Sequence, residues 1–201
     1  MRRRTEARGW NHNIHYHGFV LDLLPAGCRR ALDVGCGEGS LARKLARHCD
    51  EVVAIDSDAA ALARARERSA GGSRIVLHHG DVLARELPDA SFDFIAVVAT
   101  LHHLPLESAL IRFRDLLRSG GTLAVVGLYK LNTPMDYLMA ALAAPLSWII
   151  RHRLDEAEVG APLMAPKQTL QEIRRAATAL LPGARLRRRL FFRYTLAWRK
   201  P

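Results

Sequence analysis

Cysteine is scarce: the 201 residues hold three, Cys28, Cys36 and Cys49, with no CxxC pair and no even-numbered set. That speaks against a disulfide scaffold or a structural zinc ribbon and favours a reducing compartment. No apolar run reaches the 18 or so residues of a membrane span. The longest runs from Tyr137 to Ile150 and contains Pro145. The arginines of the opening MRRRTEARGWNHN have no apolar segment behind them, so a secretory signal is not expected and the expected location is cytoplasmic. Internal repeats and low-complexity linkers are missing as well. Lysine is rare, four of 30 basic residues in an alanine-rich chain, which points to a compositional bias towards arginine.

What is present is ordinary globular material. Hydrophobic residues make up 49% and charged residues 25%, which excludes wholesale disorder and collagen-like repeats. The length suits one domain, residues 1–201. The net charge of +10 is concentrated at the ends: residues 1–30 carry +4, residues 171–201 carry +8, and the middle carries −2. Basic ends can attract phosphates, so a nucleic-acid partner stays in view. Against it, Arg185, Arg187 and Arg189 fall on one face of a strand by period two, as charges that guard a sheet edge do.

Apolar runs alternate with helical patterns. ALDVG (31–35), VVAID (52–56), RIVLHH (74–79), FDFIAVVA (92–99) and TLAVVGLY (122–129) read as strands. Ile95 to Ala99 is apolar on both faces, as a central parallel strand requires. Helices are expected through Leu41, Leu45 and Ala46, after an Asp58 cap, from Pro105 to about Arg118 with Gly120-Gly121 as breaker, and from about Lys167 to Leu181. ARLRRRL and FFRYTLAW are close enough to pair as a hairpin. The whole is a doubly wound α/β pattern, a parallel sheet covered on both faces.

The chemistry concentrates where the first strand ends, in Asp33-Val34-Gly35-Cys36-Gly37-Glu38-Gly39. Glycines permit a tight turn and close backbone approach to a ligand, and the next helix points its N-terminus there. Asp56 ends the second strand, roughly 20 residues on, where an acid can accept from both ribose hydroxyls. Together they imply an adenosine-bearing cofactor. The glycine pattern is G-x-G-x-G, and Asp33 sits two positions ahead of it. A carboxylate there repels phosphate and welcomes a cationic amino acid.

The run ALDVGCGEGSLARKLA resembles the first motif of the class I S-adenosylmethionine-dependent methyltransferases, small-molecule domain type. VVAIDSD, HGDVL (79–83), FDFIAVVATLHHL and LLRSGGTLAVV resemble the motifs that follow, in family order over roughly residues 30–128. The resemblance implies a Rossmann-like seven-stranded sheet of order 3-2-1-4-5-7-6 with strand seven antiparallel. It also implies S-adenosyl-L-methionine as cofactor and S-adenosyl-L-homocysteine as product. Its cofactor residues would be Asp33, Gly35, Cys36, Gly37, Gly39, Asp56, Ser57, Asp81, Val82 and Ala99. Asp56 would hold the ribose, Asp81 the adenine amino group, and Val82 would offer its N–H. Residues 1–29 would cover cofactor and substrate, residues 30–128 bind the cofactor, and residues 132–166 form a variable lid.

A base is needed only when the nucleophile arrives protonated. His102 and His103 follow the fourth strand, at the carboxyl end of the sheet where ligands bind. By resemblance His102 faces the transfer chamber and His103 packs inward; the competing reading of His102 is an imidazole bonded to backbone. In the N-terminal WNHNIHYH, a helix would put His12, His15 and Tyr16 on one face with His17 turned away. Tyr16 or His12 could then touch the methionine carboxylate or the acceptor; an ordinary surface helix is the alternative. The spacing is not a zinc pattern, so no metal is expected.

The nearly apolar LNTPMDYLMAALAAPLSWIIRHRL must be buried, form a lid or meet a bilayer, with Arg151 and Arg153 suited to the last. A lid over an apolar pocket fits the family best. The leading expectation is methylation of a fairly apolar small molecule at oxygen, nitrogen or carbon. The rivals are an RNA methyltransferase, weakened by the lack of an NPPY-like tetrad, and a non-methylating or pericyclic protein on the same fold.

Overall fold

Alternation along the central strands sorts the chain into layers. In the computed structural model, which describes residues 15–69, 74–134, 136, 165–189 and 193–201, seven strands form one sheet. The order of elements is α1 (His17–Asp22), β1 (Arg30–Val34), α2 (Ser40–Leu45), β2 (Glu51–Asp56), α3 (Ala59–Arg68), β3 (Ile75–His79), β4 (Phe92–Val98), a 3₁₀ turn (Leu101–His103), α4 (Leu106–Leu116), β5 (Leu117–Leu128), α5 (Leu170–Leu180), β6 (Arg185–Arg189) and β7 (Arg193–Arg199). The sheet order is β3-β2-β1-β4-β5-β7-β6. β1 to β5 run parallel, and β7 is antiparallel to both β5 and β6. This is the expected topology.

Period-two side chains feed two cores. Leu32, Val53, Ile95 and Val97 point to one face and pack with Leu110 and Phe113 of α4 and Ile173 and Ala177 of α5. Ala31, Val52, Ala54 and Phe94 point to the other and meet Val20 of α1, Leu45 of α2 and Leu62 of α3. Strands buried on both faces need apolar residues at every position, which is why ALDVG and FDFIAVV read as continuous runs. Asp58 caps α3 as expected, accepting from the Ala60 and Ala61 N–H groups at 2.8 and 3.1 Å.

Two local expectations are corrected. α4 stops at Leu116, and β5 begins at Leu117, ahead of the two glycines. Gly120-Gly121 does not break the helix. It lies in an irregularity of the strand, where the pairing moves from Phe92↔Leu117 to Phe94↔Thr122. A side chain on Gly121 would press the Arg118 and Phe92 carbonyl oxygens at 2.9 and 3.1 Å. The N-terminal face also differs. His15 is exposed while Tyr16 is buried, so the two do not share an environment. His17, expected to turn away, is buried too.

β6 closes the sheet as its terminal strand, with Arg185 and Arg187 exposed along the edge. Arg189 is instead half-buried, over the Phe19 ring and donating to Thr195 Oγ1 at 3.1 Å. After β5, the Lys130 N–H donates to the Gln168 carbonyl at 2.8 Å and Lys130 bridges Thr169. The chain therefore leaves the sheet and returns at one point. Most of the expected lid, and His12, lie outside the described residues.

Lys44 Nζ donates to His17 Nδ1 at 3.1 Å, which ties α1 to α2. Burial first, and the Lys44 charge second, push the His17 imidazole down to about 4. The unfolded chain therefore binds more protons between pH 6.5 and 4, and stability falls as pH drops through that window. His17 alone should cost on the order of 3 kcal/mol by pH 4. Urea unfolding at pH 7.5 and 4.5 checks this, with His17→Gln expected to recover much of the difference.

Candidate active site

The sheet reverses its winding between β1 and β4, and a crevice opens there at the carboxyl ends of the strands. β1 feeds the glycine bend directly: the Gly35 and Cys36 N–H groups both donate to the Ile55 carbonyl, at 2.8 and 3.1 Å. Gly35, Gly37 and Gly39 all adopt positive φ, +70°, +52° and +71°, a region that penalises any residue with a Cβ. Gly35 is also confined, since a Cβ there would overlap the Thr100 side chain from the loop after β4. Around Gly37 nothing lies within 4 Å of such a Cβ, so the bend presents bare backbone to open space.

Two carboxyl groups flank the bend. Asp33 is buried, and its Oδ2 has no hydrogen-bond partner. Burial, with Asp56 as the second cause, pushes its carboxyl up to about 7. Asp56 Oδ2 accepts from the Gly37 N–H at 2.6 Å, and its Oδ1 accepts from the Asp58 N–H at 2.8 Å. The end of β2 is thereby fastened to the glycine bend. Glu38 braces the far side, accepting from Arg64 Nε at 2.7 Å and from Arg68 of α3. Cys36 is buried, with its thiol pushed up by desolvation and the two aspartates. Nothing in the sequence pattern announced the Glu38 brace or the contact between Gly35 and Thr100.

Ser57 is exposed just past β2, its carbonyl accepting from His79 Nε2 at 3.1 Å. Asp81 is exposed, with Oδ1 accepting from the Leu83 N–H at 2.9 Å. Val82 buries its side chain, which leaves only main chain to face a ligand. Ala99 has a positive φ of 53°, uncommon for a residue with a Cβ, and its N–H donates to the Val126 carbonyl at 2.7 Å.

His103, expected to pack inward, is exposed; His102 is buried, and its Nδ1 has no hydrogen-bond partner. Their rings lie 4.0 Å apart. Desolvation, then the nearby His103 and Arg193, push His102 down to about 4, so it is neutral. Arg193 starts β7 opposite Leu128, at the carboxyl end of β5, and is buried. Tyr16 reaches the same neighbourhood, where burial raises its phenol against the opposing pull of Arg193 and Arg189. A cavity of about 310 Å³ is lined by Leu128, the register partner of Arg193, with Tyr129, Lys130, Leu131, Ala165 and Pro166. Arg188 lies over the Tyr129 ring and its Nη2 pairs at 3.0 Å with buried Asp136, which accepts from the Thr133 N–H and Oγ1 at 3.0 and 2.7 Å. The sequence gives no sign of that pairing, since the partners are far apart in the chain.

A bare glycine bend, an acid closing β2 and a buried carboxyl with one unbonded oxygen stand together at a topological switch, the arrangement of a nucleoside-binding α/β protein. The family model for the methyltransferase domain matches residues 32–125. An uncharacterized methyltransferase of Mycobacterium bovis is 40% identical over 196 residues, covering 96% of this chain and 98% of that protein. The chain belongs to the class I S-adenosylmethionine-dependent methyltransferases, and S-adenosylmethionine is its cofactor. The 27-O-demethylrifamycin SV methyltransferase of Amycolatopsis mediterranei is 36% identical over 140 residues, 58% of this chain and 51% of that protein. In fold, the N-methyltransferase NodS of Bradyrhizobium japonicum with bound S-adenosyl-L-homocysteine matches with a TM-score of 0.63 at 21% identity, over 94% of this chain and 87% of that one. Among the described residues, no helix is long and apolar enough to cross a membrane, and no group of three metal-ligating side chains occurs.

Gly35→Ala should destabilise the fold by roughly 2–4 kcal/mol, since positive φ and overlap with Thr100 act together. Denaturant unfolding of that variant against Gly35→Ala with Thr100→Gly, which also removes the Thr100 Cβ, separates the two costs: the double variant should recover the steric part only.

Proposed function

We propose that the protein transfers the methyl group to a small, largely apolar acceptor held at the carboxyl end of β5. The observation that carries this reading is the cavity of Leu128, Tyr129, Leu131, Ala165 and Pro166, apolar on most sides and at the end of β5, the strand that packs against the turn after β4. The match to a methyltransferase whose name specifies a rifamycin supports it. S-adenosylmethionine supplies the electrophilic methyl carbon when bound, and most of the acceleration then comes from holding the nucleophile in line with it.

This chain's residues divide that work. The bare main chain at Gly35 and Gly37 lets the cofactor lie against the bend, Asp56 receives the ribose hydroxyls, and Asp81 and Val82 receive the adenine. Ser57, Gly39, Cys36 and Ala99 shape the walls. Asp33 faces the amino group of the methionine part, where a cation restores the carboxylate that burial disfavours. Tyr16 covers that end. His102, neutral and unbonded at Nδ1, takes the proton of a hydroxyl or ammonium acceptor, or orients a nucleophile that needs no base; exposed His103 is the weaker candidate. Of the arginines near the carboxyl terminus, Arg188 is committed to Asp136 and Arg189 to Phe19 and Thr195.

A screen of small-molecule acceptors with methyl-labelled S-adenosylmethionine tests the proposal: label should enter an apolar hydroxyl, amine or activated-carbon compound. Label transferred only to RNA, or product formed without a methyl gain, overturns it.

Asp33 yields a pH dependence with a definite sign. Its folded carboxyl is protonated below about 7, so S-adenosylmethionine affinity should rise as pH increases from 6 to 8. Calorimetric titrations across that range should show proton release, and Asp33→Asn should flatten the slope while lowering affinity at pH 8. His102→Ala should slow turnover by about tenfold or more at saturating cofactor, within the range of general-base effects. Its cofactor affinity should change little, and stopped assays alongside calorimetry separate the two.

A further inference from the structure

Cys28 lies two residues ahead of Arg30, and Cys49 two residues ahead of Glu51. Arg30 and Glu51 are register partners in the parallel β1–β2 pair, and the Glu51 N–H donates to the Arg29 carbonyl at 2.9 Å, so the ladder runs past the strand ends. Continuing that register sets Cys28 against Cys49 with both side chains on one face. Parallel neighbours are about 4.8 Å apart, inside the Cα separation that a disulfide accepts. The two thiols are in contact, with sulfurs 3.0 Å apart and both buried. Cys36 sits at the opposite end of β1, in the glycine bend.

We propose that Cys28 and Cys49 are a dithiol that closes reversibly into a disulfide, a redox-controlled staple across the amino ends of β1 and β2. The closed loop would contain the whole glycine bend and α2, so oxidation would restrain the segment that carries the cofactor site without touching it. With a peroxide as oxidant the atoms balance in two steps. The Cys49 sulfur attacks one peroxide oxygen, the O–O bond breaks, and one water leaves a sulfenic acid. The Cys28 sulfur then attacks the Cys49 sulfur, the S–O bond breaks, and a second water departs. A dithiol reductant reverses the link by exchange. Access needs only local opening of one corner, because Gly27, Arg29, His48 and Asp50 around the pair are exposed. The inference is independent of the acceptor reading, since it concerns the other end of the sheet.

The test uses the full chain, reduced, desalted and treated with hydrogen peroxide, then alkylated in denaturant and mapped by mass spectrometry. The expected result is loss of two hydrogen masses, one Cys28–Cys49 peptide, Cys36 alkylated, and three thiols restored by dithiothreitol. The melting temperature of the linked form should exceed that of the reduced form by roughly 5–10 °C. A Cys36→Ala chain, left with two thiols, should form the same Cys28–Cys49 link and show a similar rise in melting temperature on linking. Three alkylatable thiols after peroxide, a link through Cys36, a sulfinic acid at either position, or a lower melting temperature on linking overturns the proposal.

Discussion

Two carboxyl groups at the carboxyl ends of adjacent parallel strands set the terms for the rest of the structure. The Asp56 charge adds to burial in raising the cost of ionising Asp33. Asp56 itself accepts two backbone N–H bonds, which clamps the glycine bend. Asp33 has no such relief for Oδ2 and is driven towards its neutral form. An uncompensated acid is costly in a core, and its persistence is understandable where a cationic ligand completes it. In the proposed function the amino group of the cofactor's methionine part is that cation, so the least comfortable group of the fold would be the one its ligand relieves.

Much of the core was legible because parallel strands buried on both faces leave an unmistakable trace. ALDVG, VVAID and FDFIAVV are apolar apart from one aspartate each, Asp33, Asp56 and Asp93, and the strand order is the one the family resemblance implies. The bend was legible for a different reason: three alternate glycines with positive φ have few other uses. What stayed hidden depends on contacts between distant segments. Gly120-Gly121 has the composition of a helix breaker, yet close approach of Phe92 and Arg118 carbonyls gives it a role inside β5. Cysteine spacing argued against pairing, and only the β1–β2 register brings Cys28 to Cys49.

The exposure of His103, against expectation, has a simple geometric origin. In a 3₁₀ turn successive residues are separated by about a third of a revolution, so of two neighbours one can enter the protein while the other faces out. Sequence adjacency does not say which. The turn Leu101–His103 is pinned by the His103 N–H to the Thr100 carbonyl at 2.9 Å, and this rotation buries His102. A buried imidazole beside Arg193 and His103 stays neutral, which is the state a proton acceptor requires.

The two ends of the sheet carry different polar networks. At the amino end, Asp93 accepts from the Arg29 and Arg30 N–H groups, both at 2.9 Å, and pairs with Arg118 at 2.8 Å. Lys200 Nζ donates to the Arg114 and Leu117 carbonyls at 2.8 and 2.7 Å. The carboxyl end holds a positive φ at Ala99, an orphaned Asp33 oxygen and an orphaned His102 nitrogen. Such groups cost stability one by one and persist when the surroundings over-determine them. The stitched amino end supplies that determination, holding β1, β4 and β5 in register so that their far ends can keep polar atoms unsatisfied for a ligand to use.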